Sequence, residues 1–288
     1  MGAHPSSPSL HRRVLALFAS GTTRRPSYQY VEDTTMPSSH DDLRAMWIAE
    51  YNQPFVGWDF SYLTGRRITI PAEGSWDYTG SVVAALHHAH SLLDMDTGGG
   101  EFLAALPWRP THTYATEGYG PNVPVARQTL EPLGVEVVEA HDVAHLPFAD
   151  GQFDMVINRH GAYTPHELRR VFAADGLFIT QQVGSQTNRR LHELLGDTTP
   201  AGDWHVAAAV RDLEAAGFRI IEQREVFPIT RFYDVGAIVY YLKAISWEIP
   251  DFTVDRYFDR LVEIHTLIQS DGYVDVPFHL FFVRARSV

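Results

Sequence analysis

The residues best suited to hold a ligand begin at Ser91–Leu103, SLLDMDTGGGEFL. There a short apolar run meets Asp94, a second acid at Asp96, the glycines Gly98, Gly99 and Gly100, and then the start of a helical pattern. The order reads as strand, tight turn and helix. Glycine leaves the backbone N–H groups of such a turn open to a ligand, because no side chain stands in the way and positive φ costs little. Asp94 closes the strand just ahead of the turn. The nicotinamide or flavin spacing Gly-x-Gly-x-x-Gly, started at Gly98, puts Leu103 where its third glycine belongs. A βα turn without a ligand is the further alternative.

A ribose needs an acceptor for its hydroxyls, and in open parallel sheets that is an acid at the end of the second strand, about 20 residues past the first turn. Glu117 stands there. Ligands of such sheets bind beyond the carboxyl ends of the strands, which turns attention to Asn158, Arg159, His160 and Tyr163 after the fourth strand pattern. His160 is a candidate general base because an imidazole titrates near neutrality, with Tyr163 and His166 behind it. The same residues could equally serve as ordinary hydrogen-bonding or solvated groups. His87, His88 and His90 lack acidic or Cys partners at ligand spacing, and His141 and His145 flank Asp142 in a single loop. Neither set is read as a metal site.

Alternating strand and helix patterns must position these groups. A helix over Thr79–Ala89 leads into the first strand. Further strands are predicted over Thr111–Thr116, Val135–Ala140, Phe153–Asn158, Gly176–Val183 and Phe218–Phe227, with a last one at Phe278–Arg284. Helices fall between them: one runs from an Asn122 cap through Leu133, and others span Pro165–Ala173 and Val206–Ala216. Residues 235–270 hold two more helix patterns split by Pro250, the second with an apolar stripe of Val254, Tyr257, Phe258, Leu261, Val262, His265 and Ile268 that should pack on the domain. Upstream, MPSSHDDLRAMW predicts a helix with Leu43, Met46 and Trp47 on one face. Phe55–Tyr78 is dense in aromatics: Trp58, Phe60, Tyr62, Trp76 and Tyr78. Such rings fill a core or fold over a ligand.

The first turn resembles the opening motif of the class I S-adenosylmethionine (SAM) methyltransferases, acid-x-Gly-x-Gly-x-Gly, with Asp94, Gly98 and Gly100 at matching positions. Asp96 replaces the first glycine. The resemblance continues in HDVAHLPF, with Asp142 followed by the turn Leu146-Pro147-Phe148, in the Asp-x-Val of the fourth strand, and in Leu168-Arg169-Arg170-Val171-Phe172. It covers Trp76 to Arg286, with specific motifs in the first half and topology alone in the second. It implies a Rossmann-like, seven-stranded, mostly parallel sheet with helices on both faces and a helical insertion before the last strand. The implied cofactor is SAM, held by Asp94, Asp96, Gly98, Gly99, Gly100, Glu117, Asp142 and Asn158, with Glu117 on the ribose and Asp142 on the adenine amine. Asp96 should weaken this site, and Asp96→Gly should tighten it.

The implied domains are a non-packing extension over 1–35, a helical and aromatic cap over 36–78, and a methyltransferase domain over 79–288. The extension's apolar run is too short for a secretory signal, and Met36 is a candidate start. A formal charge of −12 gives no general attraction to phosphate backbones, so a small-molecule acceptor is favoured over nucleic acid. The rival methyltransferase reading is an RNA base, as in ribosomal guanine methyltransferases, whose N-terminal zinc module uses Cys; this chain has none. A non-catalytic SAM or nucleotide binder is the other. Without Cys there is no disulfide and no catalytic thiol, which suits a cytoplasmic protein, and no apolar run approaches the roughly 18 residues of a membrane span.

Overall fold

The computed structural model describes residues 39–55 and 59–288. The expectations for residues 1–35 and for Trp58 lie outside them. In chain order the elements are α1 (His40–Tyr51), β1 (Arg67–Ile70), α2 (Tyr78–Leu86), β2 (Ser91–Met95), α3 (Glu101–Ala104), β3 (His112–Glu117), α4 (Val123–Leu130), β4 (Glu136–Glu139), β5 (Phe153–Arg159), α5 (Pro165–Val171), β6 (Phe172–Val183), α6 (Arg189–Leu195), α7 (Val206–Ala215), β7 (Phe218–Val226), β8 (Ile229–Phe232), α8 (Val235–Ala244), α9 (Phe258–Asp271), β9 (Val274–Pro277) and β10 (Leu280–Ser287).

The main sheet has seven strands in the order β4-β3-β2-β5-β6-β10-β7, with β10 antiparallel to both neighbours and the β4 to β6 pairings parallel. This is the expected Rossmann-like sheet. Both faces of its centre are buried, so β2 and β5 read as apolar runs, and successive residues feed opposite cores. Leu92, Met155, Ile179 and Phe282 pack with α2 and α4 on one face. Leu93, Val156, Phe178 and Phe281 pack with α5 and α7 on the other. Asp154 pins the opening of β2 by accepting the His90 and Ser91 N–H groups, at the edge opposite the carboxyl ends of the parallel strands.

A second sheet, β1-β8-β9, was not expected. It is antiparallel throughout and joins Arg67–Ile70 to Phe232–Ile229. With α1, α6, α8 and α9 it encloses a third core around Trp47, Phe232, Ile238, Leu261 and Ile264. The stripe on α9 packs here, against α8 and the small sheet. Met46 departs from the expected face of α1: Leu43 and Trp47 are buried while Met46 is exposed.

Candidate active site

Parallel pairing brings the carboxyl ends of four strands to one edge. Met95 of β2 lies beside Asn158 of β5, Asn158 beside Thr180 of β6, and Glu117 of β3 beside Glu139 of β4. The turn after β2 rises from this edge. Asp96, Gly98 and Gly100 all have positive φ (55°, 65° and 85°), the backbone reason for a glycine-based motif and for the tolerance of Asp at its first position. The glycines differ in their surroundings. A Cβ on Gly100 would fall 2.6 Å from the Leu130 side chain, so this glycine admits α4, whereas a Cβ on Gly98 would meet nothing within 4 Å. Gly98 therefore faces open space, and one on Gly99 would collide only with the Glu101 carboxylate.

Three acids gather at this turn. Asp94 is buried and accepts the Thr97 hydroxyl at 2.7 Å. Burial first, then the nearby charges of Asp96 and Glu117, push its pKa up to about 7, against the pull of that hydrogen bond and of Arg159. Asp96 is raised as well, by desolvation and then by Glu117. Its carboxylate takes the Ala162 N–H. A Cβ on Gly161 would lie 2.7 Å from Asp96 Oδ2 and 2.9 Å from Asn158 Nδ2, so Gly161 is the glycine that lets the β5 loop close over the β2 turn. The sequence motifs gave no hint of Gly161. Glu117 is buried at 4 % exposure, with Oε1 accepting the Tyr119 N–H at 2.7 Å.

Asn158 is fully buried. Its Oδ1 accepts from Thr180 and Gln182, and its Nδ2 is a buried donor with no partner. Such a donor normally has one. His160, at φ 70°, opens the loop that follows β5. Trp76 Nε1 donates to Gln181 Oε1 and the Gln181 amide in turn meets His160 Nε2, both at 2.8 Å. Because the amide oxygen is taken, the amide N–H donates, so His160 is neutral with its proton on Nδ1. Desolvation of the ring, then Arg159, lowers its pKa, although the residue keeps exposed surface. The Arg159 guanidinium lies over the rings of Phe102 and Tyr78, at 5.7 and 5.9 Å.

Asp142 stands beyond β4, next to the Glu117 loop through the His141 Nδ1 contact with the Gly118 carbonyl at 2.8 Å. Its own oxygens are engaged locally, by the Ala144 N–H at 2.8 Å and by His145 at 2.7 Å. Tyr163 packs edge-on to Phe178 and Trp204 in the sheet core, with its buried hydroxyl unpartnered, and His166 is exposed on α5. The structure thus assembles Asp94, Asp96, Gly98, Glu117, Asn158 and His160, and leaves Tyr163 and His166 outside that group.

Residues 93–179 match the family model of the methyltransferase domain. This stretch carries a methyltransferase domain, laid out on the Rossmann-like sheet. The match runs from β2 into β6, through every group just assembled. Among solved structures, a functionally unknown protein of Deinococcus radiodurans superposes with a TM-score of 0.55 at 14% identity, over 86% of this chain and 99% of that one. The YcgJ protein of Bacillus subtilis does so at 0.50 and 15%, over 73% and 97%. These two share the fold of this chain. No curated protein sequence matches the chain.

Among the described residues no group of His, Asp and Glu side chains is placed to hold a metal ion, and no helix is long and apolar enough to cross a membrane. The histidines of the loop after β4 are spent on local partners, His145 on Asp142 and His141 on Gly118 and Glu139.

Proposed function

We propose that this methyltransferase uses SAM and methylates a small-molecule acceptor. The observation that carries the reading is the acid cluster of Asp94, Asp96 and Glu117 around a glycine turn that is open at Gly98. Like charges held together in a desolvated place favour a cationic ligand, and SAM brings both an ammonium and a sulfonium. Glu117 keeps Oε2 for the ribose hydroxyls, since Tyr119 takes Oε1. The unpartnered Asn158 Nδ2 and the N–H groups around Gly98 supply donors for the carboxylate or adenine. Asp142 can reach an adenine amine only if its carboxylate shares or gives up a loop hydrogen bond.

When bound, SAM supplies a methyl group activated by the sulfonium, and displacement on it is in line, so the protein's work is alignment and exclusion of water. Trp76, Gln181 and His160 form a fixed wall for this. His160, neutral in this setting, is the base for an acceptor that holds its proton, provided that Gln181 releases Nε2. The net charge of −12 and the acids around the turn support a small acceptor rather than RNA.

Calorimetric titration of SAM and of its demethylated product into wild-type and Glu117→Ala protein tests the reading. The variant should bind more weakly by about 2 to 4 kcal/mol through loss of charge-assisted hydrogen bonds to the ribose. Equal affinity for the two proteins would remove Glu117 from the site, and no binding to wild type would end the SAM assignment.

A further inference from the structure

Arg67 opens β1 inside the aromatic-rich stretch, away from its Trp76 and Tyr78 end that borders the proposed cofactor site. Its guanidinium lies 4.9 Å from the ring centroid of Phe60 and 5.4 Å from that of Tyr241. It is half-buried, and among the described residues no carboxylate or carbonyl accepts from it. Every other half-buried arginine described has such a partner. Arg66 forks onto Asp234 and reaches Glu50, Arg231 forks onto Asp275, Arg170 holds Glu167, and Arg284 meets Glu222. Arg109 caps main-chain carbonyls. Aromatic faces attract a guanidinium but leave its N–H edge unsatisfied, and a desolvated cation without an acceptor is retained at a cost to stability. Burial lowers the Arg67 pKa accordingly.

The position connects this cation to the reaction edge. Tyr241 donates its hydroxyl to Asn188 Oδ1 at 3.3 Å, and Asn188 belongs to the loop that leaves the carboxyl end of β6. That is the sheet edge where Asn158 and His160 end β5. We propose that Arg67, held between Phe60 and Tyr241, anchors the carboxylate of the acceptor molecule, whose apolar body lies against the aromatic rings of the cap. A single planar fork fits the two oxygens of one carboxylate. A dianionic phosphate would call for further cations, and the neighbouring Arg66 is already committed to Glu50 and Asp234. The inference rests on the methyl-transfer reading only in naming the bound molecule an acceptor.

Benzoate and inorganic phosphate, titrated calorimetrically into the full chain, serve as probes, with wild type compared against Arg67→Gln and Arg67→Met. Benzoate should bind wild type saturably and both variants at least about tenfold more weakly. Thermal midpoints of the variants should be unchanged or higher, because the uncompensated charge is gone. Affinity for the demethylated cofactor, measured in the same samples, should not change. Absence of benzoate binding to wild type, equal binding by the variants, or binding of phosphate in preference to benzoate would each overturn the proposal. So would a lowered midpoint in both variants with benzoate binding intact, the mark of a purely structural arginine. If the demethylated cofactor binds no form while benzoate binding still depends on Arg67, the SAM reading fails and the anion site stands.

Discussion

At the ends of β2 and β3, Asp94, Asp96 and Glu117 crowd one another with the exposed Arg159 as the offsetting cation, whereas around the small sheet Glu50 and Asp234 share Arg66 and Arg231 forks onto Asp275. Both regions are acidic in sequence. Around that sheet the ion pairs bridge elements distant along the chain, tying α1 and the N-cap of α8 to the residue before β1, so charge there is part of the packing. At the turn the acids repel and are desolvated, an arrangement that costs stability until a ligand of opposite charge offsets it. Compensated charge marks the scaffold and uncompensated charge the proposed site.

The largest test of this contrast is Arg66→Met, which leaves Glu50 and Asp234 facing each other without their shared cation. Removing one partner from a fully buried pair costs about 3 to 5 kcal/mol. Arg66, Glu50 and Asp234 keep 27%, 16% and 40% of their side-chain surface exposed, so solvent reduces the expectation to about 2 kcal/mol. Chemical denaturation measures it. A loss indistinguishable from zero would mean that apolar packing alone holds α1 and α8 to β1.

Asp94→Asn should act in the opposite direction, and only at higher pH. With its pKa near 7 when folded, Asp94 keeps its proton longer in the folded protein than in the unfolded chain, where it titrates near the ordinary 3.8. The stability associated with the protonated form is therefore lost as pH rises from about 4 to about 7, and the full cost of the buried charge is present at pH 8. The variant should gain on the order of 2 kcal/mol over wild type at pH 8 and little at pH 4. The variant-minus-wild-type difference cancels other titrations, including that of His160. A pH-independent difference would show that Asp94 stays charged throughout and that its neighbours compensate it.

The same contrast explains what could be read from the sequence. Strands buried on both faces appear as apolar runs, so β2, β5 and the Leu177–Ile179 centre of β6 were legible, and strand-end acids such as Asp94 and Glu117 follow from their position alone. The small sheet was not. RITI, ITRF and VDVP are four-residue strands whose partners lie far along the chain, as Arg67 with Phe232 and Thr230 with Val276, so no hairpin turn announces them. α6 shows only Leu191 and Leu195 as buried positions over seven residues, too little for a period. The Trp76–Gln181–His160 relay depends on the pairing of β5 with β6, and Tyr163 turned into the core because Phe178 and Trp204 offered it an aromatic seat. Asp142 lies where the motif puts it, but its direction is set by the N–H and imidazole groups of its own loop.

The smallest expected effect belongs to Asp96→Gly. From sequence alone this side chain could meet the ligand or turn away, and the structure gives it an occupation of its own: its carboxylate takes the Ala162 N–H and lies against Gly161. Two contributions to stability then oppose each other. Glycine would relieve the left-handed backbone at φ 55°, worth about 1 to 2 kcal/mol for an ordinary residue and less for Asp, while loss of a hydrogen bond to a charged group costs about 1.5 to 3 kcal/mol. The variant should be slightly less stable, with the β5 loop freer. For SAM the carboxylate attracts the ammonium and sulfonium and repels the carboxylate, and being already engaged it does either weakly. Affinity should therefore rise by no more than about threefold, roughly 0.7 kcal/mol, and by less at high salt, where residual repulsion is screened. Titrations of SAM into both proteins at low and high salt measure this. A loss beyond about tenfold in the glycine form would mean that Asp96 leaves Ala162 to hold the ligand's ammonium, and the acid cluster would then be a direct binding surface instead of a field acting from beside it.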